Sequence, residues 1–181
     1  MPVKSKFILS FLAASFLCAA SLFAMETGNL YSLFHDKTVK VYVAEAKDST
    51  KDHETDPKAI KLKIEEALKN RKSIRFEIAQ DPSQAELLVD ADVNEFLWTD
   101  HDPVDMLMGA AAIAYDMATV EDYARLQADM SVTDAKSGKV LWKDRVIATI
   151  TKKPMSRPES IPLVAGELAK TFIKYCFSRR R

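Results

Sequence analysis

Apolar and polar residues alternate along five segments of the chain. A period of two is typical of strands that bury one face, because successive side chains point to opposite sides. The segment 123–134 shows this most clearly, with Ala124 and Met130 among the apolar positions and charged or polar residues between them. A tight turn containing Gly138 leads to the segment 140–150, so these two segments predict a hairpin. The predicted strands are residues 38–46, 74–78, 87–98, 123–134 and 140–150.

A helix is predicted after the first strand. Asp56 is followed by a proline, and this pair is typical of a helix start, since the carboxylate accepts from free N–H groups and proline fits the first turn. Ile60, Ile64 and Leu68 then recur on one helical face. Asn70 predicts that the helix ends with a residue in the left-handed conformation.

A second helix is predicted over residues 163–177, where Val164, Leu168 and Phe172 recur at helical spacing. Three prolines in residues 152–162 predict a loop before it. The element order is then β-α-β-β-β-β-α. This order predicts an α+β two-layer sandwich, in which a mostly antiparallel sheet carries two helices on one face.

The segment between the third and fourth predicted strands breaks the alternating pattern. Residues 104–118 are almost wholly apolar and rich in alanine and methionine, which predicts an apolar helical excursion from the sheet. Just before it, Phe96 and Trp98 fall on the polar parity of their strand. Either a bulge reverses the faces of the strand there, or the two aromatic side chains cover another element.

Three interpretations of residues 104–118 stay open. The segment can be a buried cover over one end of the sheet, a surface that binds a protein partner or a second copy, or a membrane contact. Membrane contact is not favoured, because the apolar run is too short for a span and lacks a basic face. The candidate interaction surface consists of Phe96, Trp98, Met106, Met108, Ile113 and Tyr115.

The start of the chain has the organisation of an export signal. Two lysines precede the apolar run 7–17, and small residues follow it, so residues 1–24 are predicted to be a signal peptide. Cleavage after Ala20 or Ala24, or an uncleaved anchor, are the alternatives. Cleavage after Ala24 leaves residues 25–181 as a single domain outside the cytoplasm, most simply in the periplasm.

Lipid attachment at Cys18 is not favoured. A bacterial lipoprotein is cut before a cysteine that follows small residues, whereas here Phe16 and Leu17 precede it. Cys176 is the only other cysteine, so the exported domain has no internal disulfide. Cys176 lies on an apolar helical face and is expected to be a buried small apolar residue.

The remaining composition argues against several functions. The chain has 26 basic and 26 acidic residues, and this balance speaks against non-specific nucleic-acid binding. Asp100, His101 and Asp102 include metal-ligand types, but adjacent residues do not easily converge on one ion, so a solvated loop with a helix cap is expected there. We predict no enzyme activity, no cofactor and no metal site.

The second half of the chain carries a short motif. Residues 85–89 read AELLV and lead into a strand, and a later strand ending at Asp134 turns through residues 137–142, which read SGKVLW. Over residues 81–143 the chain resembles bacterial envelope accessory domains of the curli-secretion lipoprotein, TolB N-terminal and LPS-assembly lipoprotein type, with Glu86 in place of the usual aspartate.

The resemblance implies a non-catalytic envelope accessory protein. Such a protein would bind an envelope protein partner or assemble with itself. The alternative is a small-molecule or lipid carrier with an apolar pocket under residues 104–118.

Overall fold

The structure is a computed structural model that describes residues 29–51, 53–98, 123–151 and 156–179. The predictions on the export signal, on residues 104–118 and on residues 100–102 lie outside the described residues. The described part forms six strands and three α-helices, with one short 3-10 helix at Pro82–Gln84. The strands are β1 (Thr38–Val43), β2 (Lys47–Asp48), β3 (Arg75–Ile78), β4 (Leu87–Trp98), β5 (Tyr123–Asp134) and β6 (Val140–Thr151). The α-helices are α1 (Tyr31–Phe34), α2 (Pro57–Lys69) and α3 (Arg157–Phe177).

The six strands form one mixed sheet in the order β3-β1-β4-β5-β6, with β2 beside the far part of β4. The long strands β4, β5 and β6 form an antiparallel meander. β1 pairs in parallel with β3 and β4, because the helix α2 carries the chain from the end of β1 back to the start of β3. The predicted α+β class and the two-layer arrangement are confirmed. The alternating pattern alone did not predict the parallel pairings of β1.

The helix α2 follows its predicted pattern at the start but not at the end. The Asp56 carboxylate accepts from the backbone N–H groups of Lys58 and Ala59 at 3.0 Å each. Asn70 has φ −78° and ψ −2°, so the predicted left-handed end is wrong. The N–H of Arg71 instead reaches the carbonyl of Leu68 at 3.1 Å, and this 3-10 turn ends the helix without a positive φ.

The helix α3 begins six residues before its predicted start at residue 163. Ser156 and Glu159 form a capping box, in which the Glu159 carboxylate accepts from the Ser156 N–H at 3.0 Å. Pro158 stands at the second helical position, where its missing N–H needs no partner. Pro162 lies in the helix interior. Residues 157–162 therefore form the start of α3 and not the predicted loop.

The helix α3 packs across the sheet through a row of buried aromatic rings. Phe76 on β3 meets Phe177, with ring centroids 5.0 Å apart. Phe177 meets Phe172 at 5.8 Å, and Phe172 meets Trp142 on β6 at 5.5 Å. One helix therefore contacts both outermost strands of the sheet. Cys176 lies beside this row and is fully buried, as expected, and burial raises the pKa of its thiol.

The last carbonyls of α3 are capped by residues distant in sequence. The Asn29 side-chain amide donates to the carbonyls of Tyr175 and Ser178, the first at 3.1 Å. The N–H of Leu30 donates to the Cys176 carbonyl at 2.7 Å. A helix end leaves carbonyls without helical partners, and here the incoming chain supplies the donors. The segment that enters the domain is thus fastened to the segment that leaves it.

We expect Asn29→Ala to lower the free energy of unfolding by about 1–2 kcal/mol, because it removes the donor to two carbonyls and the acceptor of the Tyr31 N–H. Urea denaturation measures the change. The matched control is Asn70→Ala, since Asn70 is exposed and no hydrogen bond of its side chain is described. Equal effects of the two substitutions would contradict the capping role.

Gly166 lies inside α3, where it faces α2. A Cβ at this position would meet only the Lys63 Cδ, at an ordinary contact distance of 4.0 Å. Gly166→Ala should therefore raise the free energy of unfolding by about 0.5–1 kcal/mol, because glycine is a poor helix former.

Gly138 has φ +67°, so Gly138→Ala should lower the free energy of unfolding by about 1–2 kcal/mol. Thermal denaturation of both variants would show shifts of opposite sign.

Candidate functional site

A bulge in β4 decides which way the aromatic residues at its end point. The register with β5 shifts between Val93 and Glu95, so Asn94 is an extra residue. The shift puts Phe96 opposite Leu126 and reverses the parity of the strand. Of the two alternatives that the sequence left open, the structure shows the bulge.

Phe96 consequently lies in the core rather than on the surface. Its side chain is 6% exposed, and the Arg157 guanidinium lies over its ring, 5.7 Å from the centroid. Trp98 is partly buried and packs against the same core. Arg157 also forms an ion pair with Glu54. The start of α3, the loop before α2 and the end of β4 meet at this end of the sheet.

The loop before α2 is held in place by one carboxylate. Asp48 accepts from the Thr50 hydroxyl at 2.5 Å and from the Thr55 hydroxyl at 2.6 Å, as well as from the backbone N–H groups of both residues. The N–H of Glu54 in turn donates to the Thr50 hydroxyl at 3.2 Å. Asp48 thus positions the backbone from which Glu54 reaches Arg157. Asp48 itself lies in the short strand β2, next to Lys47.

The hydrogen bonds of Asp48 also control its ionisation. Partial burial alone would raise the pKa of this carboxyl, but the bonds from Thr50 and Thr55 outweigh it and lower the pKa to about 2. Above its ordinary pKa the carboxylate therefore stabilises the folded state. That contribution is lost as the pH falls towards the folded-state pKa.

We expect the stability difference between the wild type and Asp48→Asn to be about 1–2 kcal/mol at neutral pH and to shrink between about pH 5 and pH 2. Urea denaturation at several pH values measures this difference. Asp90→Asn is the matched control, because Asp90 is exposed on β4 and no hydrogen bond of its side chain is described. A difference that does not change across this pH range would contradict the role of Asp48.

The face of β4, β5 and β6 that points away from the helices is called here the outer face. Three ion pairs lie across it: Lys47 with Asp92 at 3.2 Å, Arg145 with Asp129 at 2.9 Å, and Arg125 with Glu95 at 3.5 Å. The hydrogen bond from Arg145 is the main reason that the pKa of Asp129 is lowered. The paired charges leave this face with no single-sign field to attract a charged substrate.

Two large apolar side chains interrupt the charges of the outer face. Leu97 on β4 is 39% exposed, and Ile147 on β6 is 43% exposed. Both lie on the half of the sheet that includes the bulge. The sequence analysis selected neither residue. Leu97 stood on the apparent core parity of β4, and the bulge reverses that parity.

The other predicted interaction residues cannot be placed beside these. Met106, Met108, Ile113 and Tyr115 lie outside the described residues, so their surface stays a prediction. Connectivity alone shows that their segment departs from Trp98 and returns at Tyr123, at the end of the sheet just described.

A groove of about 680 Å³ lies between α2 and α3. Charged side chains stand along it, with Lys63 paired to Glu66 at 2.9 Å and Lys170 paired to Glu167 at 2.7 Å. This lining differs from the mainly apolar lining of small-molecule pockets. The carrier interpretation requires a different pocket, under residues 104–118, and stays a prediction.

Within residues 29–51, 53–98, 123–151 and 156–179, no group of three or more side chains is arranged to hold a metal ion. None of the helices in the described part of the chain has the length and hydropathy of a membrane-spanning helix.

Comparison with known proteins shows a shared fold. The structure is similar to that of PelC from Paraburkholderia phytofirmans, a dodecamer, with a TM-score of 0.51 and 15% identity over 78% of this chain and 90% of the PelC chain. It is also similar to XCC0632 from Xanthomonas campestris, with a TM-score of 0.48 and 8% identity over 77% and 86% of the two chains. Lipoprotein GNA1162 from Neisseria meningitidis gives a TM-score of 0.40 and 10% identity over 70% and 93%. No protein-family model and no curated protein matches the chain significantly.

Proposed function

We propose that this chain is a non-catalytic accessory protein of the bacterial cell envelope that acts by assembling with copies of itself. The observation that carries the proposal is the similarity of its fold to one subunit of the PelC dodecamer, over nine-tenths of that subunit. The second form of the proposal is that the chain binds another envelope protein instead of a second copy of itself. The export signal predicted from residues 1–24 supports the envelope location.

The described surface is consistent with a role in assembly. Leu97 and Ile147 are exposed on the outer face, and their neighbours are ion pairs within the chain rather than free charges. Apolar positions between paired charges are compatible with the centre of a protein interface, where unpaired charges are depleted. Residues 104–118 add a longer apolar sequence, which joins the sheet at the same end.

The expected result is a mass that is a multiple of that of the 20.3 kDa chain, measured by size-exclusion chromatography with light scattering on the full chain. Met108→Asp and Ile113→Asp should lower the mass to that of a single chain and leave the circular dichroism unchanged, because a buried charge disrupts an interface and an exposed one does not disrupt the fold.

The control for these variants is Leu62→Asp, at an apolar residue of α2 that is 61% exposed and far along the chain from residues 104–118. This control should keep the wild-type mass. A wild-type protein that elutes as a single chain at all concentrations would contradict self-assembly. Loss of folding in the Met108 and Ile113 variants would show that the segment is part of the core.

A further inference from the structure

The two segments at which the described chain starts and ends lie at one end of the molecule. The N–H of Leu30 donates to the carbonyl of Cys176, and the Arg71 guanidinium donates to the carbonyl of Phe177 at 3.3 Å. The ends of α2 and α3 therefore lie together. β1 and β3 both start here, since Thr38 is the register partner of Arg75.

The turn between β5 and β6 belongs to the same end of the molecule. The N–H of Ala135 donates to the carbonyl of Glu86 at 2.9 Å, and the N–H of Glu86 donates to the carbonyl of Lys40 at 2.8 Å. This connects the turn to the first half of β1. We call the residues gathered here, in the segments 29–38, 69–76, 134–140 and 174–179, the basic end.

The basic end has a strong excess of positive charge, although the whole chain has a formal net charge of zero. The four segments contain two acidic residues, and each has a partner: Asp36 lies 2.7 Å from a nitrogen of His35, and Asp134 accepts from Ser137. The carboxylate of the exposed Glu86, beside the turn, accepts from the Lys40 N–H. Its nine basic residues are Lys37, Lys69, Arg71, Lys72, Arg75, Lys136, Lys139, Lys174 and Arg179.

Most of these cations have no counter-ion among the residues that the structure describes. Lys69, Lys72, Arg75, Lys174 and Arg179 form no ion pair with any residue that the structure describes. On the outer face, Lys47, Arg125 and Arg145 are paired with carboxylates. Unpaired cations from two separate segments at one end produce a positive field that an anionic surface can neutralise.

Exposed apolar side chains accompany the charge. Leu33 on α1 is 52% exposed, and Tyr175 in the last turn of α3 is 47% exposed. Tyrosine together with lysine and arginine is typical of the water–membrane boundary, where an apolar body and a polar tip are both satisfied.

The sequence outside the described residues leads to the same end. Four residues separate the predicted signal peptide, residues 1–24, from the first described residue, Asn29, and two further arginines, Arg180 and Arg181, follow Arg179. An exported chain leaves the membrane through its signal peptide, so the basic end is the part of the folded domain nearest to the membrane when cleavage occurs. The segment that contains residues 104–118 joins the sheet at the opposite end, between Trp98 and Tyr123.

We infer that the basic end lies against the anionic surface of a phospholipid bilayer, with Lys72, Arg75 and Lys174 among the side chains that meet the lipid phosphates. The inference rests on the envelope location in the proposed function, but not on self-assembly. The association is electrostatic and reversible, and Leu33 and Tyr175 add a shallow apolar contact.

The test is co-sedimentation of the full chain, purified from the envelope fraction, with vesicles of equal parts phosphatidylglycerol and phosphatidylcholine. Binding should weaken on the order of 100-fold when Lys72, Arg75 and Lys174 are all changed to Gln, since each cation near a charged surface contributes about fivefold. It should also weaken strongly when the salt is raised from about 0.1 M to about 1 M.

The matched control changes Lys51, Lys58 and Lys143 to Gln. These are three exposed lysines away from the basic end, and the loss of charge is the same. The control should bind the vesicles as the wild type does, and circular dichroism should show that both triple variants are folded. Equal weakening of both variants would overturn the inference, because net charge alone would then account for binding.

Two further results would overturn the inference. Equal binding to vesicles of pure phosphatidylcholine would show an apolar anchor instead of a charged contact. Binding to soluble polyphosphate without binding to vesicles would show a polyanion site. Light scattering on the same samples separates the two proposals: single chains that bind vesicles contradict self-assembly alone, and oligomers that do not bind contradict membrane contact alone.

Discussion

The packing of α3 across the sheet is the interaction on which the rest of the fold depends. Through Phe172 and Phe177 the helix contacts both Trp142 on β6 and Phe76 on β3, which are the two outermost strands of the sheet. Strand pairing alone would leave β3, with four residues, as a weak edge. Burial of several aromatic rings by one helix contributes several kcal/mol, since a large apolar side chain contributes about 1.5–3 kcal/mol when fully buried.

This packing also gives the molecule two distinct ends. α2 and α3 finish together, and the chain enters beside them at Asn29, so the two ends of the described domain and the cations of the basic end lie together. β4 has twelve residues and carries the chain roughly 36 Å along the sheet before residues 99–122 begin. The proposed lipid contact and the proposed assembly surface therefore use different residues.

The sequence predicted what depends on local pattern. Alternation located five of the six described strands, and helical spacing located the apolar faces of α2 and α3. What it missed depends on hydrogen bonds between residues in a particular backbone geometry. Ser156 and Glu159 start α3 in a stretch whose prolines suggested a loop. Asp48 organises a polar loop through Thr50 and Thr55, and no periodicity signals such a contact.

The candidate interaction surface also depends on a backbone geometry that the alternating pattern does not predict. A single extra residue, Asn94, reverses the parity of β4, so that Phe96 and Trp98 face the helices and Leu97 faces outward. On the described part of this end, Leu97 and Ile147 are exposed between the ion pairs of the outer face, whereas the ring of Phe96 is buried. Phe96 acts indirectly, because its contact with Arg157 fixes the start of α3 and, through Glu54, the loop before α2. The bulge thus assigns the two neighbouring residues opposite roles: Phe96 stabilises the end of the sheet, and Leu97 is presented at its surface.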